Sequence, residues 1–161
     1  MTTLTARYRF SASHRLYLSS LSDEENSQLF GKCSNPYGHG HDYVLSVTVR
    51  GEVDPQTGLM IRKQDLDRLV DQAVLRNFSH RNLNVDIAEM DELVPTTENV
   101  TLVIARLLQA AWRSLSSEGS GCRLWAVHLQ ETDRNGFEIR LNDLRRQTTP
   151  ISINEGMVLH V

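Results

Sequence analysis

The stretch GKCSNPYGHGHDY, residues 31–43, concentrates side chains that could do chemistry. Two of the chain's six histidines, His39 and His41, stand either side of one glycine. Cys33, one of only two cysteines, lies just upstream. Alternate residues of a strand point the same way, so both imidazoles can face one ion if a strand begins there. Gly40 would leave room for close approach. Catalytic zinc typically takes three protein ligands and keeps a fourth position open. His14, at the end of FSASH, supplies the third if its strand pairs with the second one. Three histidines without a carboxylate would leave the ion dipositive and a good Lewis acid. The opposing reading is plain. A lone His-x-His is more often a surface or loop feature than a ligand pair. Cys33 could also close a four-ligand structural site. Spacing alone leaves these alternatives open.

The elements that must position these residues can be read from periodicity. LTARYRFSAS alternates Leu4, Ala6, Tyr8 and Phe10 against polar residues, as a half-buried strand does. DYVLSVTVRGEV puts Tyr43, Leu45, Val47 and Val49 on one face, and DPQTG turns the chain. Tyr43 therefore belongs to the core, and Asp42 would support the site beside it. SDEENSQLF suits a loop or short surface helix. KQDLDRLVDQAVLRNF carries Leu66, Leu69, Val70, Ala73 and Val74 on a helical stripe. A second helix fits TTENVTLVIARLLQAAWRSL, with a threonine cap. CRLWAVHLQET and GFEIRL return to strands, and Asn135-Gly136 signals a type I′ hairpin. The order β-β-α-α-β-β predicts an α+β fold, a four-stranded antiparallel sheet with two helices on one face. Residues 1–142 form the domain, and 143–161 a tail with no assigned structure.

Composition narrows the function classes. At 161 residues, 40% hydrophobic and 23% charged, the chain is one globular domain with a real core. A net charge of −3 gives no reason to expect nucleic acid, and no basic run suggests a membrane surface. No apolar segment reads as a signal peptide or a transmembrane span, so the expectation is cytoplasmic. Cys33 and Cys122 make no disulfide framework and read as free thiols. Cys122 and His128, on one strand, read as structural.

The whole of FSASHRLYLSSLSDEENSQLFGKCSNPYGHGHDY closely resembles the 6-pyruvoyl-tetrahydropterin synthase family. PTTENV at 95–100 and LQETD at 129–133 match further family motifs in register, so the similarity runs from about Ala6 to Leu141. The resemblance implies the tunnelling fold, or T-fold, and a homo-hexamer of two trimers with active sites between subunits. It also implies a zinc-dependent lyase converting 7,8-dihydroneopterin triphosphate to 6-pyruvoyltetrahydropterin and triphosphate, on the way to tetrahydrobiopterin. Carried over by position, His14, His39 and His41 would hold the zinc. Cys33 would abstract a proton and His80 would serve as its relay. Glu131 would grip the pterin's amino and ring N–H donors, while Thr96, Thr97 and Glu98 help seat the ring. Arg15 and Lys32 lie where the triphosphate would need cations.

One position departs from the family pattern. Ser79-His80 stands where the family has Asp-His. A serine can orient the histidine but hardly stabilise its charged form, so proton transfer should be slower. Asp71, Asp86 or a carboxylate of a neighbouring subunit could substitute. Two rivals follow. A 6-carboxytetrahydropterin synthase would use the same substrate, but its cysteine loop is typically shorter than the five residues between Cys33 and His39. A homologue that binds a pterin without turning it over would also fit Ser79.

Overall fold

The computed structural model describes residues 2–115 and 121–144. Strand β1 (Thr2–His14) pairs antiparallel with β2 (His39–Gly51) along its full length. The register sets Leu4 opposite Val49, Phe10 opposite Tyr43 and His14 opposite His39. The predicted alternation therefore holds on both strands. Phe10 and Tyr43 stack with ring centroids 5.2 Å apart, worth about 0.5–1.5 kcal/mol beyond their burial. Strand β4 (Cys122–Thr132) pairs with β2, and β5 (Asn135–Arg140) with β4, both antiparallel.

Helical chain covers residues 63–78, as the apolar stripe requires. It comprises α2 (Lys63–Val70), a π turn (Asp71–Leu75) and α3 (Arg76–Phe78). The long helix α4 (Thr97–Leu115) follows. Leu66, Leu69, Val70 and Val74 join Val100, Val103, Ile104 and Leu108 in one core against the sheet. The Thr96 hydroxyl accepts the Asn99 N–H at 3.3 Å, the threonine cap that starts α4. The acidic stretch forms a short helix, α1 (Asp23–Phe30), started by a Ser22–Glu25 capping box.

Three expectations need correction. Among the described residues the sheet has five strands in the order β3-β1-β2-β4-β5, and it is mixed rather than purely antiparallel. The extra strand, β3 (Arg81–Asn82), pairs parallel with Ala12 and Ser13 of β1. Two residues are too short to show any alternation, so nothing in the sequence marks it. The hairpin loop is Asp133-Arg134, not Asn135-Gly136. Both of the latter lie in β5, and neither has positive φ. A register shift between Gln130 and Thr132 moves the turn upstream. Gly136 is small for another reason: a Cβ there would lie 2.8 Å from the His128 ring and 3.2 Å from the Leu129 carbonyl. Finally, a last helix, α5 (Leu141–Leu144), crosses the expected domain boundary and buries Leu141 and Leu144 in the core. The rest of the tail lies outside the described residues. Among those described, no helix is long and apolar enough to cross a membrane.

Candidate metal centre

Pairing alone brings the three histidines together. His14 and His39 are opposite one another, and His41 lies two residues further along the same face. One ligand nitrogen from each lies within 4.8 Å of the others. His14 Nε2 and His39 Nε2 approach to 3.1 Å, close to the roughly 3.3 Å separating two nitrogens of a tetrahedral zinc. His14 is 1% exposed, and its Nδ1 lies 2.8 Å from the Pro95 carbonyl. A carbonyl only accepts, so Nδ1 carries the proton and Nε2 is left with its lone pair aimed into the cluster. His41 Nε2 is buried with no hydrogen-bond partner among the described residues. Burial lowers the pKa of His14, and burial followed by the neighbouring His41 lowers that of His39. Both shifts favour the neutral imidazole a metal needs. Converging lone pairs, a fixed tautomer and a partnerless buried nitrogen fit a divalent ion.

Glu131 borders this cluster. Its Oε1 lies 3.6 Å from His14 Nε2 and 3.9 Å from His41 Nε2. It shares the core-facing side of β4 with Val127 and Leu129. The register shift leaves it without an opposite number on β5, a bulge that aims its side chain at the histidines. The Tyr43 hydroxyl, fully buried, donates to Oε1 at 3.4 Å and lies 3.5 Å from His14 Nδ1. Burial, and then the Glu131 charge, push the Tyr43 pKa far up, so it stays a donor at any working pH. Asn135 Nδ2 donates to Glu131 Oε2 at 2.8 Å and to the buried Thr97 Oγ1 at 3.0 Å.

Cys33 sits in a 3₁₀ turn (Gly31–Ser34) tied to the end of β1, where its carbonyl accepts the Leu16 N–H at 2.8 Å. Its thiol is close enough to Tyr43 to help raise the pKa of that hydroxyl. Burial first, and Glu131 second, raise its pKa. It is not part of the ligand group, so the four-ligand site that spacing left open is not formed. His80 lies elsewhere. It lines a cavity of about 550 Å³ with Ser11, Ser13, Gly40, His41 and Asp42, beside the edge where β3 pairs with β1. Its φ is +59°, unusual for a residue with a Cβ, and its N–H is anchored on the Ser11 carbonyl at 2.7 Å. Asp86 lines the same cavity, whereas Asp71 is engaged by Arg76 at 2.6 Å.

The remaining predicted residues divide. Thr97 joins the Glu131 network, Thr96 is occupied as the helix cap, and Glu98 is exposed. Asp42 does not support the metal cluster. It points to the other face and accepts from Ser11. The Arg15 Nε donates to the Ser34 carbonyl, and Lys32 is exposed. Pro95 and Asn135 were missed, as was the polar role of Tyr43. A main-chain carbonyl carries no signal in residue type, and Asn135 reads locally as a turn former.

Glycine is required at Gly38, not at Gly40. Gly38 has φ +68°, and a Cβ there would lie 2.8 Å from the His14 carbonyl oxygen. At Gly40 the nearest atom would be at an ordinary 3.5 Å. Gly38→Ala is expected to cost about 1–2 kcal/mol in backbone strain alone and to push His39 away from His14. Metal titration together with a thermal melt should show weaker binding and a lower Tm. Unchanged metal affinity would contradict this account of the turn.

Comparison with known proteins agrees with the geometry. The profile of the 6-pyruvoyl tetrahydropterin synthase family matches residues 3–142. The chain is 46% identical over 132 residues to the 6-pyruvoyl tetrahydrobiopterin synthase of Pongo abelii, covering 82% of this chain and 86% of that one. It is 44% identical to the Homo sapiens protein of that name over the same shares. The solved 6-pyruvoyl tetrahydropterin synthase of Caenorhabditis elegans superposes with a TM-score of 0.75 at 38% identity, over 86% of this chain and 94% of that one. With fold, ligand cluster and similarity over residues 3–142 in agreement, the chain belongs to the 6-pyruvoyl tetrahydropterin synthase family of lyase enzymes.

Proposed function

We propose that the chain converts 7,8-dihydroneopterin triphosphate to 6-pyruvoyltetrahydropterin and triphosphate in tetrahydrobiopterin synthesis, with zinc held by His14, His39 and His41. The observation that carries this reading is the gathering of three imidazoles, the Cys33 thiol and the Glu131 carboxylate around one side of the sheet. A bound zinc would act as a Lewis acid toward the hydroxyls of the substrate side chain. Glu131 accepts the pterin's amino and ring N–H donors, charge-assisted bonds stronger than neutral ones. Tyr43, held protonated, donates to the same carboxylate and helps fix its position. Cys33 takes a proton from the three-carbon side chain. Its raised pKa leaves little thiolate at neutral pH in the isolated chain, so it needs a nearby cation or a relay.

His80 is that relay in this proposal, working across a subunit boundary. Its cavity is lined by no residue of the Cys33 turn, which supports a neighbouring copy as the source of the histidine for each Cys33. Hence the assembly proposed is a homo-hexamer of two trimers with active sites between subunits, in the cytoplasm. Asp86, in the same cavity as His80, is the candidate to replace the missing relay aspartate. The test is turnover of 7,8-dihydroneopterin triphosphate by zinc-loaded protein, following triphosphate release and identifying the pterin product. Ser79→Asp runs in parallel. A pyruvoyl product from the wild type supports the lyase reading, and a faster Ser79→Asp supports the relay role of His80. A carboxy product with acetaldehyde would overturn it, and no turnover in either protein would reduce the site to pterin binding.

A further inference from the structure

We propose that Asn135 is a positioning residue that fixes the Glu131 carboxylate in the orientation that selects a 2-amino heterocycle. The inference rests on the reading of Glu131 given above. Its starting point is the corrected hairpin. Asn135 is not spent on a positive-φ turn. Its side chain instead bridges the β4–β5 hairpin to the first turn of α4.

The chemistry of the bridge is unambiguous in direction. An ionised carboxylate only accepts, so the amide group facing Glu131 Oε2 at 2.8 Å is the NH₂. Its second hydrogen goes to Thr97 Oγ1 at 3.0 Å, and Thr97 is 4% exposed. Both donors of the amide are thus used, one on the carboxylate and one on a buried hydroxyl that cannot move. Glu131 needs such a tether. The bulge leaves it without a cross-strand neighbour, and its side chain has free torsions that the ladder does not hold.

The tether also sets what remains available. A carboxylate offers about four acceptor sites. Asn135 takes one on Oε2 and Tyr43 reaches one on Oε1. One site per oxygen is left, the spacing a paired amino and ring N–H would match. A 2-oxo ring would instead point a carbonyl at the carboxylate and be repelled. The selectivity for the amino group therefore depends on the Asn135 hydrogen bond.

The experiment measures affinity of the metal-loaded chain for neopterin and for its 2-oxo (lumazine) analogue, by fluorescence, in the wild type, Asn135→Asp, Asn135→Ala and Glu131→Gln. Asn135→Asp is isosteric but removes both donors. The preference for neopterin should fall about tenfold in both Asn135 variants, the size of one hydrogen bond to a charged group. Metal content and Tm should stay near wild type. If both affinities fall equally, so that the preference survives, Asn135 is merely structural and the inference fails. If Glu131→Gln abolishes the preference while the Asn135 variants keep it, the inference fails and the reading of Glu131 stands. If Glu131→Gln keeps the preference, both fail. Should Asn135→Asp not fold, Asn135→Ala decides alone.

Discussion

His41→Ala should retain its fold and lose both its metal and its turnover. His41 Nε2 has no hydrogen-bond partner among the described residues, so truncation leaves no orphaned group behind. The cost in stability of the metal-free chain should be about 1 kcal/mol, since the His41 ring packs edge-on against His14, His39 and Tyr43. Metal affinity responds far more strongly. A four-ligand zinc site is worth about 10–16 kcal/mol, or about 3 kcal/mol per ligand, so removing one should weaken binding at least about a hundredfold. His14→Ala is a poorer choice. It would leave the Pro95 carbonyl without its donor in a buried position and create a cavity, mixing unfolding with ligand loss. Metal analysis after dialysis, with circular dichroism and a melt, separates these effects. One tightly held metal per chain in His41→Ala would remove the histidine cluster from consideration.

Cys33→Ala should show the reverse pattern, with metal and pterin bound at wild-type affinity and chemistry slowed by about 10²–10⁴. The local structure does not depend on the thiol, since it is the Cys33 carbonyl that takes the Leu16 N–H. The thiol is outside the ligand group, so its loss should not disturb the metal. A pH signature accompanies this. Burial and the Glu131 charge raise the Cys33 pKa, so the thiolate fraction grows as pH rises above neutrality. The wild-type rate should climb on the alkaline side, and the residual rate of Cys33→Ala should lose that limb. Single-turnover measurements across pH, alongside equilibrium binding, check both points. A Cys33→Ala rate within a few-fold of wild type would require another base.

What was legible in the sequence depended on uninterrupted regular pattern. Period-two alternation holds without a break from Leu4 to Phe10 and from Tyr43 to Val49. Once those strands pair, the face of His14, His39 and His41 is settled by parity. The metal cluster was readable for that reason. On β4 the same reasoning breaks down. Register shifts at Thr48/Val49 and Gln130/Thr132 interrupt the count against both neighbours. Parity along β4 still puts Glu131 on the face of Val127 and Leu129, but it does not say that the bulge aims the carboxylate at the histidines. Composition alone reads it as a solvent-facing carboxylate, and only its motif suggested otherwise.

The sequence by itself determined the α+β order, the two main helices and the threonine cap, because each is written in local propensity or strict period; the histidine triad was legible in it as one of two open readings until the family resemblance was added. Tertiary structure alone decided the two-residue parallel strand, the position of the hairpin and the bridge from Asn135 to Glu131 and Thr97. It alone also decided the Pro95 carbonyl on His14 and the placement of His80 in a cavity that the Cys33 turn does not line. These depend on which distant atoms meet. A main-chain carbonyl, a bulge and an asparagine amide acquire their roles only from the partner that folding brings within 3 Å.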